Sequence, residues 1–202
     1  MTLPPGRLRR RSVLRALGAA ALRPLAPLGA AALLAGASPV GQAAEPELTA
    51  FDVSRDEDGV YLNYAVDFEL GRAVDEALGK SVPIFFVAEA EIFRERWYWR
   101  NRRVANTVRT MRVVFQPLTS TYRVTTLGGL SQNYPTRGEA IAAISRSARW
   151  KIADPGQIEE GTRHWLEFSY RLDTALLPRP MQIGVSGQSD WQLAVQRSQR
   201  IQ

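Results

Sequence analysis

From Val60 to Leu70 the chain alternates without a break: Val60, Leu62, Tyr64, Val66, Phe68 and Leu70 interleave with Tyr61, Asn63, Ala65, Asp67 and Glu69. Successive strand residues point to opposite faces, so period two over this length describes a strand with one buried face. Phe51 and Val53 begin the same alternation upstream, and Arg55-Asp56-Glu57-Asp58-Gly59 between them ends in Asp-Gly, a hairpin signal. Residues 48–70 are therefore expected to form a β-hairpin.

Further elements follow from the same reading. A short helix is expected at 71–80, where Ala73, Val74, Ala77 and Leu78 share a face and Pro83 bars continuation. Residues 84–97 read as a long central strand. Residues 104–116 and 121–127 read as strands joined by a turn at Pro117–Ser120, and Gly128-Gly129 breaks the pattern. Thr136-Arg137-Gly138-Glu139 is a capping box opening a second helix, whose face carries Ile141, Ile144 and Ala148. Residues 163–173 alternate again. After Pro178 and Pro180, Met181, Ile183 and Val185 predict a strand, and Trp191, Leu193 and Val195 a further short one. Strands do not alternate with helices, which disfavours a doubly wound parallel sheet. The expected fold is mainly β, an antiparallel β-sandwich of about seven strands with two short helices.

The N-terminal segment has a different character. Arg7 to Arg15 is basic, Ala16 to Ala37 is rich in Ala and Leu, and small residues recur at 35–37 and 41–43. These are the three regions of a secretory signal peptide. Residues 1–43 are read as a cleavable leader and 44–202 as a single β-sandwich domain, with cleavage expected after Ala43 or Ala44 in preference to Ala37. Arg10-Arg11-Ser12-Val13-Leu14-Arg15 resembles the twin-arginine export motif, with Val13 in place of the usual Phe; an ordinary arginine-rich leader is the competing reading. Arg23, Pro24 and Pro27 interrupt the apolar run, which argues against a permanent anchor. The expected location is the periplasm.

Charge separates along the same boundary. The net charge of +6 resides in the leader, which holds six arginines and no acid, whereas the remainder balances twenty bases against twenty acids. A neutral domain loses the main support for nucleic acid or an anionic membrane as partner, so no nucleic acid is expected and membrane contact only during export. The absence of cysteine excludes a disulfide framework, a zinc ribbon, a thiol nucleophile and a lipoprotein anchor.

Nothing in the chain assembles into catalytic, cofactor-binding or metal-ligating spacing, and no cofactor is expected. His164 is the only histidine and lies on an apolar strand face, where a half-buried strand-end position explains it. Asp56, Glu57 and Asp58 start like a calcium loop but lack its later ligands, so a solvated hairpin tip is expected. Glu89, Glu91 and Glu95 share a strand face with Phe85, Val87, Phe93 and Trp97. Paired carboxylates serve acid–base chemistry, but salt-bridged strand neighbours account for them more simply. The most unusual segment runs from Arg94 to Arg103. Its residues Arg96, Trp97, Tyr98, Trp99, Arg100, Arg102 and Arg103 form a candidate binding surface, because arginine forks and aromatic faces combine charge with stacking; Arg109 and Arg112 extend the positive charge. Closure of the core by the aromatics, with arginines pairing the acidic half of the domain, is the alternative. Residues 45–91 hold 12 acids and 3 bases, and residues 92–149 hold 11 bases and 2 acids.

Several short segments occur in one order: Phe51–Leu70, Ser81-Val82-Pro83-Ile84-Phe85-Phe86-Val87, Arg96-Trp97-Tyr98-Trp99, Tyr122-Arg123-Val124-Thr125, Gly129-Leu130-Ser131-Gln132, Trp150-Lys151-Ile152-Ala153-Asp154, Arg171-Leu172-Asp173-Thr174 and Leu177-Pro178-Arg179-Pro180. Together they resemble the domain-of-unknown-function family 4390 of proteobacterial exported proteins, over nearly the whole mature chain. The resemblance implies export and, from the membrane sensor kinase often encoded nearby, envelope signalling; it implies no catalytic residues. The expected function is a periplasmic non-enzymatic binding or interaction domain for a protein or envelope component. The alternatives are an enzyme acting on envelope polymers through Glu89, Glu91 or Glu95, and a structural envelope protein.

Overall fold

A computed structural model describes residues 45–95, 102–159, 161–185 and 187–201. The first hairpin pairs β1 (Glu47–Asp56) with β2 (Gly59–Asp67), closing on Asp56 opposite Gly59. Gly59 has φ +140, and a Cβ there would stand 2.3 Å from the Ala153 carbonyl oxygen, so only glycine fits. Helix α1 (Arg72–Gly79) follows, then the long strand β3 (Ile84–Arg94), β4 (Arg102–Gln116) and β5 (Thr121–Thr126). Next come β6 (Ser131–Tyr134), helix α2 (Arg137–Ile144), β7 (Arg146–Ala153), β8 (His164–Leu172), helix α3 (Arg179–Val185) and β9 (Ala194–Ile201).

The strands form two antiparallel sheets. The smaller has the order β1-β2-β7 and the larger β6-β5-β4-β3-β8-β9. The expected sandwich is the observed architecture, with nine strands and three α-helices among the described residues rather than about seven and two. Strand β3 is central, as its continuous apolar run requires: Ile84, Phe86, Ala88, Ala90 and Ile92 are buried on its inner face.

An aromatic layer joins the sheets. Tyr64 of β2 lies 4.9 Å from Phe168 of β8, Phe51 of β1 lies 5.5 Å from Phe168, and Phe68 meets Phe86 at 5.6 Å. Such tilted pairs add roughly 0.5–1.5 kcal/mol each beyond area burial. The Tyr170 hydroxyl donates to the Ile144 carbonyl at 3.3 Å, tying the larger sheet to the end of α2. The Thr136 side chain accepts from the Glu139 N–H, as the capping sequence predicts.

Several local expectations are corrected. Residues 179–185 are helical, not a strand. Pro180 in the first turn loses nothing, because its missing N–H would have had no helical partner. Met181 and Val185, four apart, turn toward the core, while Ile183 is 86% exposed. Helix α2 ends at Ile144, so Ala148 belongs to β7 and is exposed. That strand escapes the alternation test because Arg149 sits at φ 47 and its pairing with β2 shifts register twice. Strand β6, Ser-Gln-Asn-Tyr, is a polar edge with little apolar pattern to read. Trp191 and Leu193 precede β9 rather than belonging to it; both are buried.

Candidate functional site

The arginine–aromatic segment runs between the end of β3 at Arg94 and the start of β4 at Arg102. Residues 96–101, and with them Arg96, Trp97, Tyr98, Trp99 and Arg100, lie outside the described residues. Arg102 and Arg103 open β4 and are exposed.

Register builds a row at this end of the outer face. Arg200 of β9 stands opposite Trp165 of β8, Trp165 opposite Phe93 of β3, and Phe93 opposite Arg103 of β4. A bulge between Ile92 and Phe93 sets the last pairing. The Arg200 guanidinium lies over the Trp165 ring, 5.1 Å from its centroid. Arg103 Nη1 pairs with Glu91 Oε1 at 2.5 Å. Two half-buried aromatics thus sit between two exposed arginines across four strands, a mixture suited to anchoring a partner.

The glutamates occupy the next rows. Glu89 pairs with Arg171 at 3.3 Å, Glu91 with Arg103, and Glu95 with Arg163 at 3.9 Å. Glu91 faces Glu167 directly across β3 and β8, a like-charge pair that the neighbouring arginine offsets. Glu89, Glu91, Glu167 and Ser169 line a shallow trough of about 200 Å³. Each of the three glutamates named from sequence therefore holds an arginine.

Arg109 and Arg112 separate. Arg112 points outward and is exposed, but Arg109 turns inward: its guanidinium lies over Trp150, 5.0 Å from the centroid, and donates to Ser147 Oγ at 2.5 Å. The expectation that both extend one positive surface is corrected, because alternation along β4 places Arg109 with Ala105, Met111 and Val113 on the core side. Beside this cation lies the Tyr64 hydroxyl, buried and without a hydrogen-bond partner among the described residues. Burial pushes its pKa up to about 12, opposed by Arg109.

His164 is 1% exposed, more deeply buried than a half-buried strand end. Thr162 Oγ1 lies 3.3 Å from its Nδ1. Burial lowers its pKa; the Thr162 hydrogen bond opposes this, Arg94 and Arg55 add to it, and Glu159 opposes it. The acidic turn is an exposed hairpin tip, where Asp56 Oδ1 accepts from the Asp58 N–H and Oδ2 pairs with Arg149 at 3.1 Å. No group of three or more potential metal-ligating side chains gathers among the described residues.

Sequence reasoning missed Trp165 and Arg200. Both stand on the polar side of their strands, and nothing local says that four distant strands align them.

The family model described as a domain of unknown function, DUF4390, matches residues 43–201. Neither the curated proteins nor the solved structures yield a match. No described helix is long and apolar enough to cross a membrane.

Proposed function

The chain belongs to the DUF4390 family of domains of unknown function, and from that premise we propose that it is an exported, non-enzymatic interaction domain of the periplasm. The observation that carries this reading is the row Arg200–Trp165–Phe93–Arg103 on the outer face of the larger sheet. Its partner is a protein or other envelope component, consistent with a role beside membrane signalling. The leader at 1–43 supplies export. The pairing of Glu89, Glu91 and Glu95 with arginines speaks against the enzymatic alternative, since a general acid or base needs a carboxylate free to exchange its proton.

Two measurements test this. Mass spectrometry of the periplasmic fraction should find a protein beginning between Ser38 and Glu45; an intact N-terminus held in the inner membrane would overturn export. Capture from envelope extract should fall at least tenfold for the combined Arg102→Ser, Arg103→Ser and Arg200→Ser variant, the equivalent of about 1.4 kcal/mol, with the thermal midpoint nearly unchanged. Unaltered capture would remove the row from the binding surface.

A further inference from the structure

Net neutrality conceals an uneven surface. Between Glu95 and Glu139 the chain has no acid and eight arginines. This stretch includes β4, β5 and β6, one flank of the larger sheet, so the five arginines on those strands are gathered in space as well as in sequence. Not all of this charge is free: Arg103 pairs with Glu91, Arg137 pairs with Asp75, and Arg109 is turned into the core. Arg102 is exposed at the start of β4, and Arg112 and Arg123 lie on the outer face, close to one another because Arg112 stands opposite Thr125 and Arg123 opposite Val114. Neither Arg112 nor Arg123 has an acidic partner among the described residues; Arg123 Nε donates to Asn133 Oδ1 at 3.1 Å.

The same flank carries most of the exposed apolar bulk. Six large hydrophobic residues are exposed among the described residues, and four belong here: Val108, Leu118, Leu127 and Leu130. Leu118 projects completely from the β4–β5 turn, at 102% relative exposure, and Leu130 from the β5–β6 turn at 89%. Leu127, at 64%, sits at the same turn, where its N–H donates to the Thr110 carbonyl. Scattered surface leucines need no explanation. Leucines at both ends of one short strand, with unpaired arginines between them and no acid nearby in sequence, do.

We propose that this flank docks on a bilayer rich in anionic phospholipid, with Leu118, Leu127 and Leu130 entering the headgroup layer and Arg112 and Arg123 pairing with lipid phosphates. A protein partner buries a contiguous apolar centre inside a polar rim. Here the leucines stand apart, at turns separated by the six residues of β5, about 20 Å of strand. A lipid interface accepts separate anchors, and its phosphates meet arginine forks wherever these fall. The docking surface goes beyond the proposed interaction row, which is centred on β3 and β8, and each can fail without the other.

The cysteine-free chain makes the test direct, because one introduced thiol labels one site. The full chain carrying Leu127→Cys, Leu118→Cys or Leu130→Cys, each with a polarity-sensitive fluorophore, is mixed with phosphatidylcholine vesicles with or without phosphatidylglycerol. The expected result is a blue shift at all three positions with phosphatidylglycerol only. A probe at Ile183→Cys, equally solvent-facing but off the flank, should not shift. This comparison separates docking from tethering by the leader, which every variant shares. Arg112→Gln with Arg123→Gln should weaken partition at low salt by about fivefold per arginine, with the circular dichroism spectrum unchanged. No shift at the three leucine positions, equal shifts at Ile183, or undiminished partition of the arginine variant would each overturn the proposal.

Discussion

His164 shows how a residue's role is set by its surroundings. It opens β8 on the core side, opposite Ile201 of β9 and Arg94 of β3. A protonated imidazole there would be a desolvated cation beside the arginine charges of Arg94 and Arg55, so the neutral form is favoured and the folded pKa lies below the usual value of 6.5. The unfolded chain titrates near 6.5. Below that pH it takes up a proton that the fold refuses, so stability is fully present above about 6.5 and falls as pH drops toward the lowered folded value. One such group contributes a slope of at most about 1.4 kcal/mol per pH unit. Urea midpoints for His164→Gln should change less than those of the unaltered protein between pH 7 and 5.5. Equal slopes would mean that His164 stays solvated in the fold.

Elements depend on close approaches that propensity does not reveal. The N-terminus of α1 has no cap of its own; Asp190, far along the chain, accepts the Ala73 N–H at 2.9 Å. Asp190 comes near enough only because Gly71 lacks a side chain: a Cβ there would lie 2.3 Å from the Asp190 carbonyl oxygen. Gly71→Ala should therefore cost about 1–3 kcal/mol, the scale of an overpacked site, read as a lowered urea midpoint. Gly79 ends the same helix in open space, where an added Cβ would meet nothing within 4 Å, so Gly79→Ala should be neutral or stabilising by up to about 1 kcal/mol. A similar gain at both positions would show that helix propensity, not the Asp190 contact, governs α1.

At the scale of the molecule, the acidic and basic halves of the chain are stitched together. Asp56 meets Arg149, Asp75 meets Arg137, and Glu91 meets Arg103. These are surface pairs with substantial exposure, worth about 0–1 kcal/mol each and screened by salt. The buried aromatic layer, not the ion pairs, holds the sandwich. The thermal midpoint should accordingly move by only a few degrees between low salt and about 0.5 M NaCl, while vesicle binding through Arg112 and Arg123 should be lost over the same range. A collapse of the midpoint in salt would place the ion pairs at the centre of stability.

Strand alternation and turn chemistry are local, carried by neighbouring residues, and they were enough to read the β1–β2 hairpin, the central β3, the β4–β5 turn, the Thr136 cap and the sandwich class. Where the pattern is broken by a bulge, as in β7, or starved of apolar residues, as in β6, the local signal vanishes. Where a spacing of two coincides with a spacing of four, as in Met181, Ile183 and Val185, it misleads. Register between strands far apart in sequence is not encoded in either strand alone. Packing of the two inner faces chose it, and that choice set Trp165 beside Arg200, turned Arg109 onto Trp150 and gathered the unpaired arginines and turn leucines on one flank.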